Sequence, residues 1–278
     1  MQRFFEQLSS RIAAPFIGAS SRDSKVWQCR CGQAVFFRNS QCLACSAVLG
    51  YAPGYACVSS LQAGIEPSTW LLDARADAGL FRRCANLDTP AACNWLVPLA
   101  GPGAHCLACS LNQTIPDLSI RQNHELWRKV ETAKRRLVAQ LITFGLPVIP
   151  KTVDETIGLA FDFIGVDLEG NAPMTGHANG LITLDIKEAD DAHREKIRVQ
   201  MREPYRTLLG HFRHEVGHYY WDRLIANGPW LDSFRSLFGD ERASYAEALD
   251  RHYQQGAPLD WPQHYVSAYA TMHPWEDW

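Results

Sequence analysis

The most regular pattern of apolar and polar positions lies between residues 121 and 145. Apolar side chains recur there every three or four positions, at Leu126, Val130, Ala133, Leu137, Leu141 and Phe144. This spacing places them along one face of an amphipathic helix, and Gly145 followed by Pro147 predicts its end. Three consecutive basic residues at 134–136 interrupt the pattern, and we expect them on a solvated outer face.

Shorter patterns further along the chain predict strands and more helices. Apolar and polar residues alternate in part over 159–164 and over 181–186, which is typical of strands. The charged segment 188–202 predicts a helix, and Pro204 opens another that continues through LLGHFRHEVGHYYWDRLI. A last helix is predicted near 240–254. Together these elements favour the α+β class, with a mainly helical C-terminal domain and a small sheet.

The composition narrows the class of protein. Of the 278 residues, 46% are apolar and 21% are charged, which is ordinary for a folded protein and excludes wholesale disorder. No run of about 18 apolar residues exists, so the sequence predicts no membrane-spanning helix. The net charge of −3 argues against a nucleic-acid partner. Residues 1–25 form an extension without the apolar core of a secretory signal, so we expect a cytoplasmic protein.

All nine cysteines lie at or before Cys109, and the first four form two close pairs. The pairs are Cys29-x-Cys31 and Cys42-x-x-Cys45. In a zinc ribbon, two such pairs on short turns converge on one tetrahedral ion, and Gly32 supplies the residue type that a tight turn favours. The spacing therefore predicts a zinc ribbon over residues 26–56. Four free buried thiols are the alternative.

The later cysteines form a looser group. Its members are Cys84, Cys93, Cys106 and Cys109, of which only the last two are a close pair. We expect these four to bind a second structural zinc in a module that covers residues 57–120. Alternatively, Cys84 and Cys93 are small core residues. Cys57 belongs to neither group and is expected to be an ordinary buried thiol.

The strongest sign of chemistry is the sequence His214-Glu215-Val216-Gly217-His218 on a predicted helix. Its spacing puts both imidazoles on one face, where both can bind one metal ion. Glu215 beside them can act as the general base in hydrolysis. Gly217 has no evident packing reason to lie inside a helix, so we expect a metal or another backbone close to it. Two exposed histidines on a surface helix are the alternative.

A catalytic zinc needs a third protein ligand, and three carboxylates are candidates. Asp222 lies one turn after His218 on the same helix, which suits a partner that orients His218 better than a ligand. Glu241 and Glu276 lie on separate segments. We favour Glu276 because Tyr269, seven residues earlier, could then place its phenol beside the metal as an oxyanion donor. Otherwise Tyr269 is a buried aromatic residue.

Several segments together resemble a bacterial family of zinc-binding metallopeptidases with an N-terminal zinc ribbon. They include CRCGQAVFFRNSQCLACSAVLGY, CLACSLNQTIPDL, TGHANGLITLDIKEADD, EPYRTLLGHFRHEVGHYYWDRL, FGDERASYAEAL and VSAYATMHPWEDW. The resemblance implies a peptidase but no particular substrate. The Tyr269-x6-Glu276 pattern is also similar to that of lethal-factor-type zincins. That similarity implies that Glu276 is the third ligand and that Tyr269 aids catalysis.

The family's pattern continues beyond HPWEDW, whereas this chain ends at Trp278. Residues 121–278 would therefore be a zincin-like domain that is truncated or has an incomplete site. On this basis we expect Glu276 to lie in a frayed terminus with little packing to fix its carboxylate. The catalytic zinc would then be held weakly.

These features favour a gluzincin-like zinc metallopeptidase that acts on a peptide or protein substrate through a zinc-activated water. It would bind one catalytic zinc and one or two structural zinc ions. The strand over 181–186 would pair with an extended substrate as an exposed sheet edge. Two alternatives stay open. One is a non-catalytic zinc-ribbon module that binds protein or nucleic acid, and the other is a zinc hydrolase of non-peptide bonds.

Overall fold

A computed structural model describes residues 26–73, 75–165, 175–200 and 206–278. The predicted extension 1–25 and Pro204 lie outside these ranges. Within them the chain forms three sheets and several helices, which confirms the predicted α+β class. None of the helices described in these ranges combines the length and the apolar character that crossing a membrane requires.

The N-terminal ribbon is a two-stranded antiparallel sheet. Strand β1 (Val26–Gln28) pairs with β2 (Ala34–Phe36). Gly32 lies in the turn between them with a φ of +84°, a conformation that glycine adopts without steric penalty. The second cysteine pair follows in a tight loop, where the backbone N–H of Ser46 donates to the carbonyl of Cys42. The two turns bring the four cysteines of the ribbon together.

A five-stranded antiparallel sheet follows the ribbon, and its consecutive strands are spatial neighbours. The strands are β3 (Leu49–Ala52), β4 (Cys57–Ala63), β5 (Thr69–Leu72), β6 (Phe81–Arg83) and β7 (Leu96–Pro98). Aromatic rings join the sheet to the ribbon. The ring of Tyr51 has its centroid 4.7 Å from that of Phe37 and 4.9 Å from that of Trp95.

The second cysteine group leads directly into the C-terminal half of the molecule. Helix α1 (Leu107–Ser110) carries Cys109, and β8 (Asn112–Thr114) follows it at once. Strand β8 pairs in parallel with β9 (Ala160–Ile164). The sheet of the C-terminal half therefore includes a strand from the cysteine-rich half and crosses the boundary predicted at residue 120.

The C-terminal half is built on a mixed sheet in the order β10, β11, β9, β8. Strands β10 (Gly176–Ala178) and β11 (Leu181–Asp185) form an antiparallel hairpin whose turn residues, Asn179 and Gly180, both have positive φ. Strand β11 is also parallel to β9 and lies between it and β10. The expectation that the strand over 181–186 presents an exposed edge is therefore wrong. The hairpin covers it, and β10 and β8 are the two edge strands among the described strands of this sheet.

Two long helices pack against this sheet, and shorter ones complete the domain. The two long helices are α2 (Arg121–Thr143) and α4 (Leu208–Leu224). The shorter ones are α3 (Asp191–Gln200), α5 (Leu231–Phe238), α6 (Tyr245–Gln255) and α7 (Pro274–Asp277). In the core, Trp127 of α2 and Phe212 of α4 both contact Phe163 of β9, with ring centroids 5.4 and 5.9 Å apart. Helix α4 is thereby fixed to the centre of the sheet.

Three helices begin later than the sequence predicts, because side chains cap them at other positions. Thr207 accepts a hydrogen bond from the backbone of Gly210 and begins α4. Ser244 does the same for α6 by accepting from the backbone of Glu247. The segment 186–189 forms a 3-10 turn capped by Asp185, so α3 begins only at residue 191. Such caps satisfy N–H groups that lack a partner in the first helical turn.

The expectation of a solvated basic face on α2 is wrong for two of its three residues. Lys134 is fully buried and Arg135 is 4% exposed, whereas Arg136 is exposed. The ammonium of Lys134 pairs with the carboxylate of Glu131 and donates to the side-chain oxygen of Asn112 in β8. It also lies 5.4 Å from the ring centroid of Phe163. Strand β8 covers this side of the helix, and the charge is buried because partners surround it.

Replacing Lys134 should destabilise the domain strongly. Lys134→Ala leaves the fully buried carboxylate of Glu131 without its principal cation, and breaking a buried pair in this way lowers the free energy of unfolding by roughly 3–5 kcal/mol. Arg136→Ala, on the exposed side, should change it by less than about 0.5 kcal/mol. Urea unfolding at constant zinc measures both. Equal stability of the two variants would contradict the buried-pair interpretation.

Candidate functional site

The sequence His214-Glu215-Val216-Gly217-His218 lies in the middle of α4. The helical spacing brings the Nε2 atoms of His214 and His218 to 3.2 Å from each other. Both side chains are partly accessible, at 37% and 21% exposure, so the pair faces an open cleft. A Cβ added at Gly217 would meet no atom within 4 Å. The expectation that another backbone comes close there is therefore wrong.

Glu276 of α7 is the carboxylate that faces the two imidazoles. Its Oε2 atom lies 3.1 Å from Nε2 of His214, and its Oε1 atom lies 3.6 Å from Nε2 of His218. Ligand atoms of all three residues lie within 4.8 Å of one another. The carboxylate comes from a segment far along the chain, which a tetrahedral arrangement of ligands requires.

The spacing of these atoms fits a zinc ion. Ligand atoms at about 2.0–2.1 Å from a tetrahedral zinc are separated from each other by roughly 3.3–3.4 Å. Nε2 of His214 lies 3.2 Å from Nε2 of His218 and 3.1 Å from Oε2 of Glu276, and one ligand atom from each of the three residues lies within 4.8 Å of the others. The Oε2 atom of Glu276 is buried and accepts no hydrogen bond from the described residues. A buried carboxylate oxygen beside two imidazole nitrogens is well suited to bind a cation.

Packing holds α7 in place, and the expectation of a frayed, loosely fixed Glu276 is wrong. The side chain of Glu276 is only 1% exposed. His273 caps the helix by accepting from the backbone N–H of Trp275, and its other ring nitrogen lies 3.1 Å from the carbonyl oxygen of Ala243. The ring of Trp275 contacts that of Trp221 on α4 at 5.3 Å between centroids. This packing fixes the Glu276 carboxylate in position relative to α4, the helix that carries both imidazoles.

Tyr245 contacts this site, and sequence reasoning missed it. The hydroxyl of Tyr245 on α6 donates to Oε1 of Glu276 at 3.0 Å and lies 3.5 Å from the hydroxyl of Tyr269. Since a phenol has only one proton, the contact between the two hydroxyls needs Tyr269 to be the donor. Burial raises the pKa of Tyr269 to about 12, so its phenol stays protonated at neutral pH.

The other two carboxylate candidates lie elsewhere. Glu241 accepts hydrogen bonds from Arg235, with Oε2 2.9 Å from Nε, and this guanidinium lowers the pKa of Glu241. Asp222 is half exposed, and its Oδ2 lies 3.7 Å from Nδ1 of His177 on β10. Asp222 was expected to orient His218, but its side chain points from α4 toward the β10–β11 hairpin instead.

Glu215 lies on the buried side of the motif. Its side chain is 7% exposed, and Oε1 lies 3.4 Å from Nε2 of His211. Burial alone would raise the pKa of Glu215, but the contact with His211 and the nearby imidazoles lower it below its ordinary value. Glu215 is therefore ionised at neutral pH, as a general base must be.

Each cysteine group also forms a set of four facing thiols. Sulfur atoms are 3.6 Å apart for Cys29 and Cys45, 3.7 Å for Cys31 and Cys42, and 3.6 Å for Cys93 and Cys106. Four sulfurs at about 2.3 Å from a tetrahedral zinc are separated by roughly 3.8 Å. Cys84 and Cys109 complete the second group, and Cys57 lies apart from both. The looser spacing of the second group therefore still brings four thiols together.

A backbone donor favours the thiolate form of Cys42, because the N–H of Cys45 lowers the pKa of Cys42 to about 7. In the second group the side-chain contact with Cys106 lowers the pKa of Cys84, whereas burial raises the pKa of Cys106. Burial also raises the pKa of Cys57, which suits an unreactive thiol.

The sequence matches two family models. Residues 123–278 match the family described as "Putative zinc-binding metallo-peptidase", and residues 26–120 match a zinc-ribbon domain. Uncharacterised proteins from two strains of Mycobacterium tuberculosis and from Mycobacterium bovis are each 45% identical over 249 residues, 89% of this chain and 68% of theirs. The chain therefore belongs to this zinc-binding metallopeptidase family. No solved structure matches it.

Zinc content should distinguish the two glutamates. If Glu276 is a ligand, Glu276→Ala removes it from the imidazole pair, so the zinc content should fall by one ion per chain. Glu241→Ala should keep the wild-type zinc content, since the partner of Glu241 is Arg235. Metal analysis after dialysis measures both. Loss of a zinc ion in Glu241→Ala, or none in Glu276→Ala, would contradict the assignment.

Proposed function

We propose that this protein is a zincin-like peptidase whose catalytic domain comprises residues 121–278 together with β8, which belongs to its sheet. The convergence of His214, His218 and Glu276 on one point, with Glu215 beside them, carries the proposal. Three protein ligands leave a fourth position for water or substrate, as catalytic zinc sites do. The eight cysteines of the two groups would hold structural zinc and leave no such position.

When bound, zinc supplies a Lewis acid that lowers the pKa of water and polarises a carbonyl group. Glu215 would accept the proton of the attacking water and then donate it to the leaving amine. Its lowered pKa and its place between the two histidines support this role. A module that only binds a partner has no use for an ionised carboxylate at this position.

Tyr269 would donate to the oxyanion that forms when water attacks the peptide carbonyl. Its ring centroid lies 6.3 Å from that of His214, and its phenol is protonated because of burial. Tyr245 gives its own proton to Glu276, so Tyr269 is the donor to Tyr245, and its hydroxyl would turn from Tyr245 to donate to a substrate oxygen. Tyr245 would thus fix the ligand carboxylate and hold Tyr269 near it.

An extended peptide would pair with β10, which is the edge strand on the side of the β10–β11 hairpin, near the motif helix. A free antiparallel edge offers backbone groups to a substrate strand. A pocket of about 270 Å³ opens at the turn of this hairpin, between Asn179 and Gly180 on one side and Asp222 and Arg223 on the other. It lies one helical turn beyond His218 and could receive a substrate side chain.

Removing the general base should stop turnover without removing the metal. Glu215→Gln keeps the size of the side chain but cannot accept a proton, so cleavage of an unbiased peptide library should disappear while zinc content stays unchanged. Glu247→Gln, an exposed glutamate on α6, serves as the matched control and should cleave normally. Mass spectrometry of the library and metal analysis read the two effects. Cleavage at the normal rate by Glu215→Gln would refute the proposed function.

The role of Tyr269 has its own kinetic signature. Tyr269→Phe removes only the hydroxyl, and loss of an oxyanion donor should lower kcat about 100-fold with little change in KM. The exposed Tyr265→Phe should leave both constants unchanged. Steady-state kinetics on the best library peptide make the comparison. A rise in KM at constant kcat would instead assign Tyr269 to substrate binding.

A further inference from the structure

Behind the general base lies a histidine that the mechanism above does not use. His211 is one helical turn before Glu215 on α4. Its Nε2 lies 3.4 Å from Oε1 of Glu215, and its Nδ1 lies 3.4 Å from Oε2 of Glu188. The side chain of His211 is 14% exposed, and both carboxylates are 7% exposed. One imidazole thus separates two buried carboxylates.

Glu188 is itself fixed in place. It lies in the 3-10 turn that follows β11, and the guanidinium of Arg206 donates to its Oε1 at 2.9 Å. The row Arg206, Glu188, His211, Glu215 therefore alternates in charge if the imidazole is protonated. It runs from the end of a sheet strand to the motif helix. The sheet and the helix together thereby determine where the carboxylate of Glu215 lies.

We propose that His211 is a positioning residue for Glu215: it bridges Glu188 and Glu215 and holds one carboxylate oxygen of Glu215, so that the other faces the reacting water. The inference rests on the proposed function, because it takes Glu215 to be the general base. His214 and His218 do not restrain Glu215 in this way, because their Nε2 atoms face Glu276 and each other.

The protonation of His211 agrees with this geometry. Both contacts of His211 are ion-pair distances rather than hydrogen bonds, so it is the charge of the imidazolium that attracts the two carboxylates, and a neutral imidazole would lose both attractions. Burial opposes the charge, but the contacts with Glu188 and Glu215 outweigh it and raise the pKa of His211 to about 9. Among the described residues, Arg206 and Arg194 contact Glu188, and the imidazoles of His214 and His218 face Glu215. The contacts likewise lower the pKa of Glu188 to about 2, against the effect of burial.

A histidine suits this role better than a longer cation. Its two ring nitrogens point in opposite directions from a rigid ring, so it can join two carboxylates without a flexible stem. Replacing a residue that orients the groups of a metal site typically lowers metal affinity or activity by about 10–100-fold. A contribution of that size is measurable without abolishing activity.

The test compares His211→Gln and Glu188→Gln with the exposed control His264→Gln, using the best library peptide. We expect His211→Gln to lower kcat by about 10–100-fold, with KM and zinc content within about twofold of wild type. Glu188→Gln should lower kcat less, because His211 then keeps its contact with Glu215. A merely structural role would change zinc content, thermal stability and KM together. Unchanged kcat in both variants would overturn the inference.

A second readout does not depend on activity. In the zinc-loaded wild-type protein at pH 7, ¹⁵N NMR of the histidine rings should show His211 protonated on both nitrogens, with the signal assigned by its loss in His211→Gln. In Glu188→Gln the pKa of His211 should fall toward its ordinary range. A neutral His211 in the wild type would overturn the bridge. If Glu215→Gln is fully active, the proposed function fails, whereas the NMR result still reports whether the bridge exists.

Discussion

The packing of the short C-terminal helix α7 against α4 determines whether three ligands can share one ion. Two imidazoles on one helix are brought together by helical geometry alone, but the third ligand must come from elsewhere. Here Trp275 packs on Trp221, and His273 caps α7 while contacting the segment before α6. The carboxylate of Glu276 is consequently almost completely buried at the motif. Without this packing, the imidazole pair would have no partner.

The cysteine-rich half is structurally continuous with the domain that carries the motif. Strand β8 leaves the second cysteine group and joins the central sheet, and Asn112 of that strand contacts the buried Lys134 of α2. The thiol of Cys109 lies 3.6 Å from the carboxylate of Glu131. Structural zinc in this group would therefore stabilise the same helix against which α4 packs. The two halves match separate family models, yet a shared sheet and buried polar contacts join them.

Features that depend on local spacing could be predicted from the sequence. The motif histidines, the paired cysteines and the amphipathic face of α2 follow from periodicity within a few residues, and each lies where that periodicity puts it. Tertiary contacts decided the rest. Lys134 was expected on the surface because basic residues usually are, and only the approach of β8 makes its burial possible. Asp222 shares a helix face with His218, but the hairpin provides it with another partner.

The same limit applies to the site. Glu276 could be favoured over Glu241 only through its spacing from Tyr269, whereas Arg235 next to Glu241 is the physical reason that Glu241 is not at the site. The sequence pattern does not single out Tyr245, because its partner Glu276 is distant in sequence. It does not single out His211 either, because the spacing of one helical turn from Glu215 is also that of ordinary core residues. Residues that position ligands and bases are recognised only once the elements are assembled.

We expect His214, His218 and Glu276 to share one zinc ion beside Glu215. The most direct measurement is anomalous diffraction, at energies on either side of the zinc absorption edge, from crystals of the zinc-loaded protein. We expect an edge-dependent peak within about 2.0–2.2 Å of the three ligand atoms, in addition to one peak in each cysteine group. Peaks in the cysteine groups with none at the motif, or a motif peak that excludes Glu276, would contradict it.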